Sequence, residues 1–349
     1  MALGKMNALR IGYLPNFGII YPIIRILIMK KTLIYAGAAF LLFGTSCKET
    51  LIPVVPATVD TTTTDSTYIG NIETPDTRNI YIEEFTGVQC TNCPQGASII
   101  EGLITTHPNV ISISQHTSSN SSYPFNQPIP GKSIQDFRTS DGEAMVQQLF
   151  DNTINNKPVS VFDRAPIATD GTMYFTGSTG WLGAYTTDID KYGDKAPVNV
   201  SVSSKYNAAT ARYEITTTIK YTATATTDQY ALNLYLTEEG VVDVQELSDK
   251  SYDVNYQFHH VFRKAITGTG TGVKILPDVA SKPAGTVYIY HNSFAINPDA
   301  KTYGGSAGKN VEGMWNPDNM DVTAVITLNN TGSTDKHVVQ AVRTKLKGS

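Results

Sequence analysis

Hydrophobic positions fall into two textures along this chain. Between residue 79 and about residue 196, apolar runs of strand length alternate with stretches whose apolar residues recur every three or four positions. Residues 79–85 and Val110–Gln115 read as strands, and Cys93–Thr106 reads as a helix with Ile99, Ile100, Leu103 and Ile104 on one side. That β-α-β order predicts a parallel strand pair joined by a crossover. A loop-rich excursion follows, from Thr117 to Thr139, holding Pro124, Pro128 and Pro130. Ser140-Asp-Gly-Glu143 then has capping-box spacing and opens a second helix through Phe150. Lys157-Pro158 leads into a third strand, Val159–Phe162; a fourth is predicted at 172–176 and a last helix over Trp181–Tyr192.

Beyond Ala196 the period shortens to two. Val198, Val200 and Val202 alternate with Asn199, Ser201 and Ser203, and Tyr213, Ile215, Thr217, Ile219 and Tyr221 alternate with polar neighbours. Leu232, Leu234 and Leu236 repeat the pattern, and further strands are predicted at 257–265, 286–291, 321–329 and 337–346. About seven short strands with Gly- and Asn-rich connections predict a β-sandwich.

The chemistry concentrates at Cys90-Thr-Asn-Cys93, where the first strand hands over to the first helix. The first turn of a helix carries unpaired N–H groups and the positive end of the macrodipole, so a thiolate there is favoured. Cys47 is the one other cysteine of the sequence. Zinc is disfavoured, because a structural site takes four ligands and neither a second C-x-x-C nor an H-x₃₋₅-H pattern is present. No metal and no cofactor are expected.

Met29-Lys30-Lys31, an apolar stretch to Phe43 and Gly44-Thr45-Ser46-Cys47 have the layout of a secretory signal. The apolar stretch is shorter than the ~20 residues a membrane-spanning helix needs. Its end resembles a bacterial lipobox, with Gly44 where that pattern usually carries Leu; the resemblance implies lipidation at Cys47 and attachment to the outer membrane, on its periplasmic or its surface face. Residues 1–28, whose apolar run is broken by Pro22 and Arg25, read as a mis-assigned upstream extension. The organisation expected is then 29–47 lipoprotein signal peptide, 48–78 Thr/Pro-rich extended linker, and two domains, 79–196 and 197–349. With 41% hydrophobic and 17% charged residues and a net charge of −4, the chain lacks the basic balance of a nucleic-acid binder.

Glu84-Phe-Thr-Gly-Val-Gln-Cys90-Thr-Asn-Cys93-Pro94 resembles the active-site segment of the Omp28-related family of Bacteroides-type outer-membrane lipoproteins. Asp136-Phe-Arg-Thr-Ser-Asp-Gly142 and Lys157-Pro-Val-Ser-Val-Phe-Asp-Arg164 fit the same family, with weaker support from His259-His-Val-Phe-Arg263 and Trp315-Asn-Pro-Asp-Asn319. The resemblance implies an α/β thioredoxin-like domain followed by an all-β immunoglobulin-like sandwich. It implies that Glu84 is a buried acid exchanging a proton with Cys93, that Pro158 is a cis proline beside a Cys90–Cys93 disulfide, and that Cys90 is the more exposed, nucleophilic cysteine. Lys157 departs from the small or apolar residue common before that proline. Two functions stay open: a thiol–disulfide oxidoreductase with a protein or peptide client at the C-x-x-C face, or a non-catalytic binding lipoprotein whose C-x-x-C is a structural disulfide.

Other signals carry less. His259 and His260 on one predicted strand would point to opposite faces and could not share a metal. Gly268-Thr-Gly-Thr-Gly272 joins strands, without the Lys and helix of a phosphate loop.

Overall fold

The computed structural model describes residues 62–117, 125–150, 154, 156–298 and 312–348. Its pivot is β2 (Ile80–Phe85), buried at every position. Such a strand needs cover on both faces. On one face Ile80 and Ile82 pack with Ile100 and Leu103 of α1 (Cys93–Thr106) and with Trp181 and Ala184 of α3 (Trp181–Tyr192). On the other, Phe85 packs against Val146 and Phe150 of α2 (Ser140–Phe150), and Tyr81 belongs to a cluster with Met145. Each aliphatic side chain buried this way contributes roughly 1.5–3 kcal/mol. β3 (Val110–Gln115) pairs with β2 in parallel, and β4 (Val159–Phe162) pairs with its other edge antiparallel, so the predicted strand–helix–strand unit is present.

What differs is where the sheet goes next. The outer edge of β3 meets Val261 of β11 (Val261–Ala265) at Ser114, and β11 lies antiparallel to β8 (Tyr230–Glu238). β8 continues to β14 (Met320–Leu328) and β15 (Val338–Lys345), while β5 (Phe175–Thr176) closes the far side and β12 (Val273–Lys274) also pairs with β8. The result is one nine-stranded sheet. A second sheet, ordered β1 (Thr62–Ile69), β13 (Thr286–Phe294), β7 (Arg212–Tyr221) and β6 (Val198–Asn207), shares one core with the β8–β14–β15 part. Ile215, Ile219 and Tyr288 from the small sheet and Leu232, Leu234 and Val322 from the large one belong to that core. This is a β-sandwich with one sheet extended.

The architecture overturns the expected α/β thioredoxin-like domain followed by a separate immunoglobulin-like sandwich. Strands dominate, three α-helices are present among the described residues, and β8, β11, β14 and β15 continue the sheet of β2, β3 and β4. Period-two alternation identifies a strand but not its partner, and the decisive partner here is the short β11.

Smaller differences have local causes. Thr62–Ile69, inside the stretch read as a tether, pairs with β13 at eight positions; all of its residues are exposed, so no apolar alternation marks it. The strand expected over 257–265 is broken at His260, whose φ of 54° turns the chain between β10 (Tyr252–Phe258) and β11. β10 pairs with β9 (Val241–Glu246) as a separate two-stranded hairpin. The strand expected at 172–176 shrinks to β5. The second helix is capped one residue early, with the Thr139 hydroxyl accepting from the Gly142 N–H at 2.8 Å. The signal segment, Cys47 and residues 48–61 of the expected linker lie outside the described residues. No helix among the described residues is long and apolar enough to cross a membrane.

Candidate functional site

The turn after β2 delivers Cys93 as the first residue of α1. The Cys93 N–H donates to the Cys90 carbonyl at 3.1 Å, and the Cys90 N–H to that of Gly87 at 3.0 Å. Pro94 sits in the first turn, where a missing N–H costs nothing, and the N-cap residue Asn92 makes no side-chain capping bond. Cys90 and Cys93 form a disulfide with the sulfurs 2.05 Å apart. One residue beyond that first turn, Gly96 lets two neighbours close in: a Cβ there would stand 2.8 Å from the Trp181 ring and 3.2 Å from Pro158. The Lys157–Pro158 peptide is cis, as expected, and its proline lies against the disulfide-bearing helix. Glu84, Cys90, Cys93 and Pro158 therefore converge on one end of the sheet.

Glu83 and Glu84 show how strand alternation assigns opposite fates to adjacent identical residues. Glu83 is held by Arg164, with Nε 3.0 Å from Oε2 and a second nitrogen 2.7 Å from Oε1, and the same guanidinium donates to the Tyr235 hydroxyl at 3.2 Å. Glu84, on the face with α1, accepts one hydrogen bond, from Ser114 Oγ at 2.9 Å; its Oε1 has no partner. Burial pushes its carboxyl up to about 7, against the smaller opposing effects of the Ser114 bond and the His260 and Lys157 charges. Burial likewise brings Lys157 down to about 7, and its ammonium donates to the Thr117 carbonyl at 2.8 Å.

Both cysteines are only 2% exposed, so the difference in exposure that would single out Cys90 is absent. Three segments cover the pair. Gln89 N–H donates to the Phe125 carbonyl at 2.7 Å, and Gly87 accepts so close an approach of that carbonyl that a Cβ would come within 2.2 Å of it. From β9, Gln245 Nε2 donates to the Cys90 carbonyl at 3.1 Å, and Glu246 N–H donates to that of Val88 at 2.9 Å. Val88 also joins Ile129, Phe137, Val241, Val244 and Phe258 in one apolar cluster.

A cavity of about 290 Å³ remains beside Cys93, with Pro94, Ala97 and Glu101 of α1 on one wall and Tyr256 and Phe258 of β10 on the other. Glu84 and Ser114 also line it. Its end is fastened by His260: Nδ1 lies 2.6 Å from Glu239 Oε1, and Nε2 lies 3.0 Å from Glu101 Oε1. Burial alone would lower this imidazole, but its bonds to Glu101 and Glu239 prevail and lift it to about 9. His116, close to the ring of Phe137 and edge-on to Phe258, is driven by burial down to about 3 and stays neutral.

The site thus holds residues to which the sequence reading gave no role in it. Glu101 had a legible signal, since Cys93, Ala97 and Glu101 recur every four positions on one helical face. Gln245 had none, and His260 was legible only as one of an adjacent histidine pair, because the role of both depends on where the hairpin folds back. His259 and His260 lie in a turn, not on a strand, and each faces Glu239. Asp163, Asp188 and His337 place ligand-type atoms within 4.8 Å of one another. There Arg78 supplies the positive charge, paired with both carboxylates, and the cluster fastens the start of β2 to the end of β4 and to α3.

No protein-family model and no curated protein matches the chain. Among solved structures, the chain is similar to HBP35 of Porphyromonas gingivalis, at 15% identity and a TM-score of 0.53 over 79% of this chain and 76% of that one. A domain of the outer membrane lipoprotein Omp28 from the same organism aligns at 16% identity over 43% of this chain and 96% of its own, with a TM-score of 0.26, too low to bear on the fold. The likeness this chain has to HBP35 is one of fold.

Proposed function

We propose that this protein is an envelope lipoprotein of the Omp28-related kind that carries out thiol–disulfide exchange at Cys90–Cys93, accepting two electrons when the bond opens. The observation that carries the reading is the placement of that disulfide at the start of a helix, beside a cavity that also contains a buried carboxyl tuned to about 7. A group with that proton affinity can take or give a proton near neutral pH, which is what a thiol and a thiolate exchange when a disulfide opens or closes. The signal-like segment 29–47 and Cys47 support a lipid anchor and an oxidising compartment in which the disulfide persists. Protein or peptide clients are the partner class carried over from the family resemblance.

The second reading is a structural staple, and the 2% exposure of both cysteines favours it. Equilibrating the full chain, with Cys47→Ser, against glutathione buffers separates the two. Exchange activity requires a potential in the range of roughly −120 to −270 mV occupied by dithiol oxidoreductases, whereas a value below about −300 mV is that of a structural bond and refutes the proposal.

A further inference from the structure

We infer that the disulfide is opened from the Cys93 side, by thiols of low molecular mass entering the cavity between α1 and β10. The inference rests on the redox reading above and replaces the protein or peptide clients carried over from the family resemblance with thiols of low molecular mass. Cys93 lines the cavity and Cys90 does not. Around Cys90 the chain is closed by Gln245 on its carbonyl and by the Gln89–Phe125 bond. An attacking sulfur therefore meets Cys93 first. The space, about 290 Å³, sits at the lower end of ligand-sized pockets, roughly 300–1,000 Å³. It admits a molecule the size of cysteamine or cysteine, while the wall formed by β10 leaves no width for a polypeptide, folded or unfolded.

His260 closes one end of the space, its imidazole held between the Glu101 and Glu239 carboxylates, and Glu84 also lines it. In the first step the thiolate RS⁻ attacks Cys93 Sγ and forms an RS–S bond. The Cys90–Cys93 bond breaks, its electron pair leaves on Cys90 Sγ, and that sulfur takes up the proton the thiol released. In the second step another thiolate attacks the RS sulfur, giving RSSR and a Cys93 thiolate, which takes up the second proton. Two thiols are oxidised and one protein disulfide is reduced. This order inverts the one expected from the family resemblance, in which Cys90 is the sulfur that engages the partner.

The test uses the full chain carrying Cys47→Ser, oxidised, with cysteamine as the small thiol and reduced, unfolded ribonuclease A as the protein thiol. Mixed disulfides are trapped by acid quench and alkylation and mapped by mass spectrometry. Cysteamine is expected predominantly on Cys93, and to react faster than the protein thiols at equal thiol concentration by more than on the order of tenfold. Ala97→Trp, which fills the cavity wall, is expected to slow cysteamine by on the order of tenfold with an unchanged circular dichroism spectrum. Ser98→Trp at the same mouth serves if the first variant does not fold. Cysteamine on Cys90, or protein thiols reacting as fast, overturns the inference and leaves the redox reading standing. Failure of every thiol to open the bond overturns both.

Discussion

Glu84→Gln isolates the proton that the proposed chemistry depends on. In the wild type the carboxyl rises from 4.5 to about 7 on folding, because burial disfavours its charged form. Between those values the native state holds a proton that the unfolded chain has released, so stability falls as pH rises through about 7 and is constant beyond it. At 1.36 kcal/mol per pKa unit the loss over the window is about 3 kcal/mol. The side chain is fully buried, so solvent screening removes little of this. Glutamine keeps the Ser114 hydrogen bond and has nothing to ionise. Urea unfolding of both proteins at intervals from pH 4.5 to 8 should therefore show the variant gaining on the wild type by about 2–3 kcal/mol. Parallel curves would mean that Glu84 ionises normally, and the reasoning about its burial would be wrong.

Other outcomes follow from neighbouring groups. Lys157→Met should abolish a rise in stability between pH 7 and 10.5: the folded lysine loses its proton near 7 while the unfolded one retains it, so the wild type gains with pH there, as urea midpoints would record. Gly96→Ala pushes a methyl to within 2.8 Å of the buried Trp181 ring and should cost about 1–3 kcal/mol in thermal or urea unfolding. Arg164→Met strands the buried Glu83 and should cost about 3–5 kcal/mol, whereas the double variant Glu83→Met/Arg164→Met should recover most of that loss in the same unfolding assay.

How much was legible depended on the range of the determinant. α1, β3 and α3 lie where their periodicity puts them, because each spacing is a property of the element itself. Pro158 and Glu84 were singled out through the resemblance of their flanking residues, and the structure places Pro158 against Gly96 of α1 and buries Glu84. The sheet's continuation was not legible: nothing local in 261–265 says that Val261 will pair with Ser114. β1 was hidden because an exposed edge strand of threonines needs no apolar side. Asp163 and Arg164, at φ values of 46° and 51°, adopt backbone that non-glycine residues avoid. Their stabilisation comes from distant partners, Arg78 and the Tyr81 N–H for one and Glu83 for the other, which no window of sequence contains.

One contact links the corrected architecture to the covered site. Ser114 bonds Glu84 through its hydroxyl and receives β11 through its backbone, its N–H donating to the His260 carbonyl at 2.7 Å. Docking β11 on β3 thus fixes His260 at the edge of α1, within reach of Glu101, and an imidazole held there anchors the end of β10. β9 follows by pairing, and with it Gln245 arrives over Cys90. Joined to the sandwich through this edge, the strand–helix–strand unit has its disulfide covered by β9 and, among the described residues, a small cavity beside Cys93. The extension of the sheet and the selectivity inferred for the disulfide are consequences of a single strand register.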